Sequence, residues 1–347
     1  MQPNFIKAGV LAIAIAFIAI LSWEIHLRHK GMILSYDDND ALWADKRAMV
    51  YLPGDKATVF IGSSRIKYDL DVPTWREITG TEAIQLSNVG SSPRAVLTDL
   101  ANDKNFKGNL VVDVTEGVFF SEVATYDWKT NKKIAYYKDR TPTQRFSFQV
   151  NHALESKFVF LDQDNFSINA MLDNLHLLPP RPGVFPGIYF PIGFTLVSYD
   201  RQSFMTPDFV ADTNQQNVVK GVWAYGFKLR GDKKLPAEKL DAIFNSVKND
   251  VAKIKARGGQ VLFIRTPSSG FYREKELKGY PKTEFWDRLL AVTGCKGIYF
   301  TDYPATAHFI CPEWSHLSPT DALTYTKEFI TELHEIGWPS NSKSNLQ

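Results

Sequence analysis

The chain has 347 residues, and its 40 Lys and Arg residues against 38 Asp and Glu residues leave a formal net charge of +2. That near balance excludes a protein that binds nucleic acid through phosphate charge, because such proteins need a basic excess or a basic face. A hydrophobic content of 44% with 22% charged residues predicts a packed core, in one large domain or two, and excludes disordered, collagen-like and coiled-coil chains. Two cysteines are too few for a disulfide scaffold or a four-thiolate zinc site.

The N-terminal region contains the longest apolar run, from Ala8 to Trp23, with no charged residue. The run is slightly shorter than the about 20 residues of a comfortable membrane span and slightly longer than a signal-peptide core. Apolar residues on both sides lengthen it if Lys7 and Glu24 reach the interfaces. Residues 22–25 offer no small-x-small cleavage site. We therefore expect residues 1–30 to form an uncleaved single-span anchor rather than a cleaved signal peptide.

The body, residues 31–347, has the pattern of alternating short apolar strands and helices, with no internal repeat. Strands are expected at residues 57–61, 83–86, 109–115, 260–265 and 298–302. Helices are expected from the capping residues 38–40 to Met49 and at residues 93–103, 146–161, 235–257, 285–293 and 318–336. This order predicts an α/β fold, a three-layer α/β/α sandwich with a mainly parallel sheet covered on both faces. No second alternating pattern begins within residues 118–231, which we interpret as an insertion or cap.

Serine chemistry is indicated by residues that follow the first two strands. A nucleophilic serine needs an exposed strand-to-helix turn, a histidine base and N–H donors for the oxyanion. Gly62-Ser63-Ser64 follows the first strand directly, at the carboxyl edge where open α/β folds place their ligands. Taken alone, this tripeptide is more typical of an ordinary hydrogen-bonding turn than of a nucleophile. Asn88-Val89-Gly90 follows the second strand and supplies a glycine whose N–H a ligand can approach closely.

A carboxylate and a histidine stand together near the C-terminus. Glu313 precedes His316 by three residues, in a loop directly ahead of the last predicted helix. A carboxylate at that spacing can accept the Nδ1–H of the imidazole, which fixes the tautomer and leaves Nε2 as a base towards serine.

The order of these blocks resembles that of the SGNH, or GDSL-like, hydrolase family. In that family a serine follows the first strand, a glycine and an asparagine complete the oxyanion hole, and an Asp-x-x-His stands before the last helix. The resemblance implies a flavodoxin-like fold, with Ser64 as nucleophile, His316 as base and Glu313 as the group that orients it. It also implies that the N–H groups of Ser64 and Gly90 stabilise the oxyanion.

The resemblance covers about residues 58–336, with the middle insertion unmatched, and it has departures. Ser63 occupies the position of the family's first-block aspartate, and Glu313 reaches one methylene further than the usual Asp. The third block, usually Gly-x-Asn-Asp, falls on residues 113–116 and lacks the asparagine. Thr115 can replace that donor with its hydroxyl or its N–H, or it is an ordinary residue at a strand end. Loss of one oxyanion donor costs about 10² to 10³ in rate.

Arg265 ends the fourth strand at the same sheet edge. It is a candidate to bind an anionic group of the substrate, and the alternative is a salt bridge to Asp302. Asp113 and Glu116 have no histidine partners at a metal-ligand spacing, and the glycine-rich nucleotide-binding signatures are missing from the sequence. We therefore predict neither a metal nor a cofactor.

Ester chemistry through an acyl-Ser64 intermediate is the function that this resemblance implies. Membrane-anchored relatives with Gly-Ser-Ser or Gly-Thr-Ser in the first block look like proteins that O-acylate cell-surface polymers beside membrane-bound O-acyltransferases. We expect O-acyl, for example acetyl, transfer to or removal from a glycan. One alternative is a lipid or carboxylic esterase, suggested by the apolar segment from Pro179 to Phe194 as a lid or membrane-facing surface. Another is a non-catalytic envelope binding or assembly subunit.

The orientation in the membrane does not follow from charge. Lys7 and the α-amino group on one side balance Arg28 and Lys30 on the other. We place the body outside the cytoplasm on two grounds, the family resemblance and a disulfide between Cys295 and Cys311, which are close enough in sequence to form a bridge.

Overall fold

The computed structural model describes residues 5–123, 125–174, 190–230 and 235–340. Contacts group the chain into two units, Met1–Asp37 with Thr141–Pro186 and Asp38–Arg140 with Gly187–Gln347. The first unit contains the apolar N-terminal helix, and the second contains the sheet and every candidate site residue. Most of the segment expected to be a lid, residues 179–189, lies outside the described residues.

The second unit is built on a parallel five-stranded sheet. The strands of this unit are β1 (Ala57–Ile61), β2 (Glu82–Gln85), β3 (Asn109–Asp113), β4 (Leu196–Val197), β5 (Ser203–Phe204), β6 (Gln260–Arg265) and β7 (Lys296–Tyr299). The order in the five-stranded sheet is β2-β1-β3-β6-β7, and β4 and β5 form a separate antiparallel pair. The five strands expected from the sequence are thus present, with small differences in their ends.

Helices connect these strands and occupy much of the region after β3. The helices of the described chain are α1 (Phe5–His29), α2 (Asp40–Ala48), α3 (Ser64–Asp69), α4 (Val72–Thr79), α5 (Arg94–Asn102), α6 (Glu116–Phe119), α7 (Thr125–Asp139), α8 (Pro142–Glu155), α9 (Gln163–Phe166), α10 (Ile168–Asn174), α11 (Pro207–Ala211), α12 (Thr213–Arg230), α13 (Ala237–Lys255), α14 (Gly270–Gly279), α15 (Arg288–Thr293), α16 (Pro304–Ala307) and α17 (Pro319–Glu335). Short 3₁₀ turns lie at Met49–Tyr51, Val159–Leu161 and Phe300–Asp302, and a π-helical turn at Thr283–Asp287 precedes α15.

Capping side chains set where two of the predicted helices begin. Asn39 accepts hydrogen bonds at 3.0 Å from two N–H groups in the first turn of α2. Ser318 accepts the N–H of Asp321 at 3.2 Å, and proline occupies the first position of α17. Both contacts satisfy N–H groups that have no partner inside the helix, which is why the sequence indicated these two starts.

Successive strand residues point to opposite faces of the sheet, and both faces carry a buried apolar cluster. Val59 and Ile61 belong to one cluster, together with residues of α5, α13 and α15. Phe60 belongs to the other, together with residues of α3, α4 and α17. Burial on both faces explains the apolar stretches of the middle strands β1, β3 and β6.

The N-terminal helix α1 has 25 residues and is long and apolar enough to cross a membrane. At 1.5 Å per residue it measures about 37 Å, against a hydrocarbon core of about 30 Å.

The expected bridge between Cys295 and Cys311 is wrong, because both cysteines are free. Cys295 packs against the cluster of α13 and α15, whereas Cys311 belongs to the cluster of α17. The two thiols therefore lie on opposite faces of the sheet, and one of the two grounds for an extracytoplasmic body is removed.

Candidate functional site

Close packing at the carboxyl end of β1 sets the position of Ser64. A Cβ added to Gly62 would lie 2.8 Å from Cβ of Asp113 and 2.5 Å from Cγ2 of Ile66, so only glycine fits there. The chain then passes the buried Ser63 and enters α3 at Ser64, which is partly exposed. The serine therefore stands at the sheet edge, at the first position of a short helix.

The histidine and the carboxylate predicted from the sequence are hydrogen-bonded to each other. Nδ1 of His316 lies 2.9 Å from Oε1 of Glu313, and the same oxygen accepts the backbone N–H groups of His316 at 2.6 Å and Ser315 at 3.2 Å. Both side chains are buried. The carboxylate thus holds the loop and fixes the imidazole with Nδ1 as the donor, because Glu313 presents an acceptor there.

Trp223 completes the environment of Glu313, and sequence reasoning missed it. Its indole N–H donates to Oε2, the second carboxylate oxygen. Trp223 lies on α12, within the region interpreted as an insertion, 90 positions before the carboxylate. No local pattern in the sequence signals a contact at that separation.

Aromatic side chains surround the imidazole. The ring of Tyr68 lies 4.3 Å from that of His316 between centroids, and those of Phe194 and Trp223 lie at 5.9 Å and 6.1 Å. Tyr68 follows Ser64 by four residues on α3, so both side chains lie on the same face of that helix. The helix face that carries Ser64 is therefore the face that packs on His316.

Nε2 of His316 is buried and has no hydrogen-bond partner among the described residues. The hydrogen bond between Ser64 and His316 is therefore not formed in this structure. A buried imidazole nitrogen without a partner is unusual, because a polar atom in that state loses the hydrogen bond it makes in water.

The predicted oxyanion donors differ in their availability. Gly90 adopts a left-handed conformation, with φ of +63°, in an exposed turn. The Thr115 hydroxyl donates to Oδ2 of Asp113 at 3.1 Å, so its single proton is already used and only its N–H remains as a donor. Ser64 is the first residue of α3, so its N–H has no partner within the helix.

Arg265 is a buried structural residue, which contradicts its assignment to substrate binding and the alternative salt bridge to Asp302. It is fully buried, and its Nε donates to Oε1 of Glu116 at 3.0 Å. Its other partner is Glu276 on α14, which also pairs with Arg65 at 2.6 Å. Asp302 pairs instead with Lys282 at 2.6 Å. Two guanidinium groups and two carboxylates thus form a buried chain of ion pairs that runs from Glu116 through Arg265 and Glu276 to Arg65.

Two further buried carboxyl groups lie beside this network. Burial raises the pKa of Asp113 to about 6, against the opposing effects of Arg65 and Arg265. Burial likewise raises the pKa of Asp69 well above its usual range. Oδ1 of Asp69 accepts the N–H of Leu317 at 2.9 Å, which joins the end of α3 to the residue after His316.

Across residues 5–123, 125–174, 190–230 and 235–340, no group of three or more His, Cys, Asp and Glu side chains is arranged to hold a metal ion. Comparison of the chain with models of known protein families finds no match, and no curated protein matches it either. Function is therefore inferred from the geometry of the site.

Proposed function

We propose that the protein is a membrane-anchored serine enzyme of the SGNH type that transfers or removes O-acyl groups. The observation that carries the proposal is the pair His316–Glu313, joined at 2.9 Å, with an unpartnered Nε2 beside the helix that carries Ser64. The parallel sheet and its two apolar clusters support the three-layer arrangement of that family.

In the proposed reaction, Ser64 Oγ bonds to the acyl carbon of an ester while its proton passes to Nε2 of His316. The carboxylate of Glu313 stabilises the imidazolium through Nδ1–H. The N–H groups of Ser64, Gly90 and Thr115 stabilise the oxyanion. The intermediate collapses with cleavage of the ester C–O bond, and the leaving alcohol takes the proton from His316. A hydroxyl of the acceptor, or water, then repeats these steps in reverse and frees the serine.

The proposed substrate is an acylated glycan outside the cytoplasm, with a membrane-bound O-acyltransferase as a partner. The helix α1 supports attachment to a membrane, since its length and composition suit a single span. The glycan, the partner and the extracytoplasmic side are inferred from the resemblance of the sequence blocks alone.

A non-catalytic envelope subunit is the second candidate, and one observation favours it. Ser64 and His316 are not hydrogen-bonded to each other, and the Thr115 hydroxyl is bonded to Asp113. Apo enzymes often have long catalytic hydrogen bonds that shorten only with substrate, so an open pair is also compatible with catalysis.

A fluorophosphonate probe on the full-length protein in detergent tests the proposal. We expect labelling that is lost in Ser64→Ala and retained in Ser63→Ala, the neighbouring hydroxyl on the same turn. Hydrolysis of p-nitrophenyl acetate should be lost in both Ser64→Ala and His316→Ala. Absence of labelling and hydrolysis in folded wild-type protein would support the non-catalytic candidate, and activity that survives both substitutions would refute the assigned residues.

A further inference from the structure

The outward face of α8 carries an apolar stripe, defined by Phe146, Val150, Leu154 and, just past the helix, Phe158. Their exposed fractions are 72%, 46%, 46% and 37%. The spacing of four residues puts the three helical members on one face. The opposite face of the same helix carries the buried Phe148. An outward face of this kind is ordinarily polar, so the stripe needs a partner.

One end of the stripe is tied to α1. The carboxylate of Glu24 accepts the N–H groups of Val159 and Phe160, both at 3.1 Å. The guanidinium of Arg28 donates to the carbonyl of Lys157 at 2.8 Å and pairs with Glu24 at 2.7 Å. Residues 157–160 are therefore held against the last two turns of α1.

These contacts set the depth of residues 157–160 relative to a membrane crossed by α1. The charge-free run of α1 stops at Trp23, and Glu24 is the first ionisable residue after it. A carboxylate avoids the hydrocarbon core, so Glu24 marks the boundary between the core and the headgroups. The backbone groups that bind Glu24 must lie at the same boundary, and with them Phe158 and the end of α8.

We propose that the apolar stripe lies in the interface of the membrane that α1 crosses. Its side chains enter the boundary between headgroups and acyl chains, as those of amphipathic interfacial helices do. Exposed Arg145 and Lys157 near the two ends of α8 suit anionic headgroups. The occupant of this surface is lipid, and the inference rests on the membrane attachment proposed above but not on the serine chemistry.

Site-directed fluorescence tests the proposal on the full chain in lipid nanodiscs. A Cys295→Ser background leaves only Cys311, which is 1% exposed and should therefore not be labelled in the folded protein. An environment-sensitive fluorophore at Phe146→Cys or Val150→Cys should lose about half its emission, or more, to a nitroxide near the headgroup end of the acyl chain. A nitroxide near the methyl end of the chain should quench it less.

Matched controls separate this inference from the anchorage. Ser147→Cys and Gln149→Cys lie on α8 and are exposed beside the stripe, so their labels should show weak quenching. A label at Ile13→Cys in α1 should be quenched most by the deep nitroxide. Quenching at Ile13 without quenching at Phe146 would refute the stripe and leave the anchor. Absence of quenching at Ile13 as well would refute the anchorage itself.

A second measurement uses the unmodified protein. A phospholipid with a photoreactive group near its headgroup should form adducts on peptides from residues 142–158 and on α1, but not on α13, whose outward face is charged. Adducts confined to α1 would refute the proposal. The proposal would also be refuted if the fluorophores on the stripe are shielded from water but neither nitroxide quenches them. That result would indicate that a second protein chain, and not lipid, covers the stripe.

Discussion

Replacing Glu313 with Gln offers a direct test of how the site is held together. Oε1 of Glu313 accepts three N–H groups, from Ser315, His316 and the imidazole, and Oε2 accepts the indole N–H of Trp223. An amide has one acceptor oxygen and one NH₂ group. If the amide oxygen of Gln faces the three donors, the NH₂ group faces the indole N–H, and two donors meet. In the reverse orientation the NH₂ group faces all three of the other donors.

The first orientation costs less free energy, because it leaves only one pair of donors facing each other. The side chain of Glu313 is fully buried, so the NH₂ of a glutamine in its place cannot turn to water. A buried donor without an acceptor costs about 1–3 kcal/mol. Trp223→Phe removes the indole donor and keeps an aromatic ring, so Glu313→Gln should be less destabilising by about 1–3 kcal/mol in that background.

The assay is urea unfolding of the full-length wild type, the two single variants and the double variant in one detergent, followed by far-UV circular dichroism. Removal of the buried charge contributes equally to Glu313→Gln in the wild-type and in the Trp223→Phe background. That contribution therefore cancels in the coupling energy of the cycle. If the two substitutions add to within about 0.5 kcal/mol, the indole does not bond to the carboxylate in solution and the reasoning fails. Independently, Glu313→Gln should lower any esterase activity strongly, because Nδ1–H loses the charge that stabilises the imidazolium.

Three further outcomes follow from the described contacts. Burial raises the pKa of Asp113 from 3.8 to about 6, so stability should fall by about 2 kcal/mol as pH rises from 4 to 6. The unfolded chain releases this proton first, and urea unfolding of Asp113→Asn should lack this part of the pH dependence. Gly62→Ala should lower the free energy of unfolding by about 1–3 kcal/mol, because the added methyl group overpacks against Asp113. The control Gly221→Ala, with open space around it, should be neutral or stabilising. Equal effects of the two substitutions would contradict the packing argument. A thiol titration of unreduced, denatured protein should find both Cys295 and Cys311 free, and a count of none would contradict the structure.

Local patterns carried most of what the sequence could predict. The strands β1 and β6 have the bounds expected from their apolar stretches, since β1 ends just before Gly62 and β6 begins just after Gly259. The bond from Glu313 to His316 was expected because a separation of three residues within one loop limits the geometries available to them.

Contacts between distant segments explain what the sequence did not predict. Trp223 and Glu276 reach their partners from α12 and α14, across separations that no periodic pattern encodes. The disulfide prediction was wrong for a related reason, because the strand β7 lies between the two cysteines in the chain and the sequence does not say which face each one joins.

The short helix α3 links the two halves of the candidate pair mechanically. Ser64 begins it, and Asp69 ends it with a hydrogen bond to Leu317, the residue after His316. Between these two points lies little more than one helical turn, about 7 to 8 Å of rigid backbone. A shift of the His316 loop would therefore displace α3, and Ser64 would move with the helix. The separation of nucleophile and base thus depends on this short helix as well as on the packing of Gly62 at the end of β1.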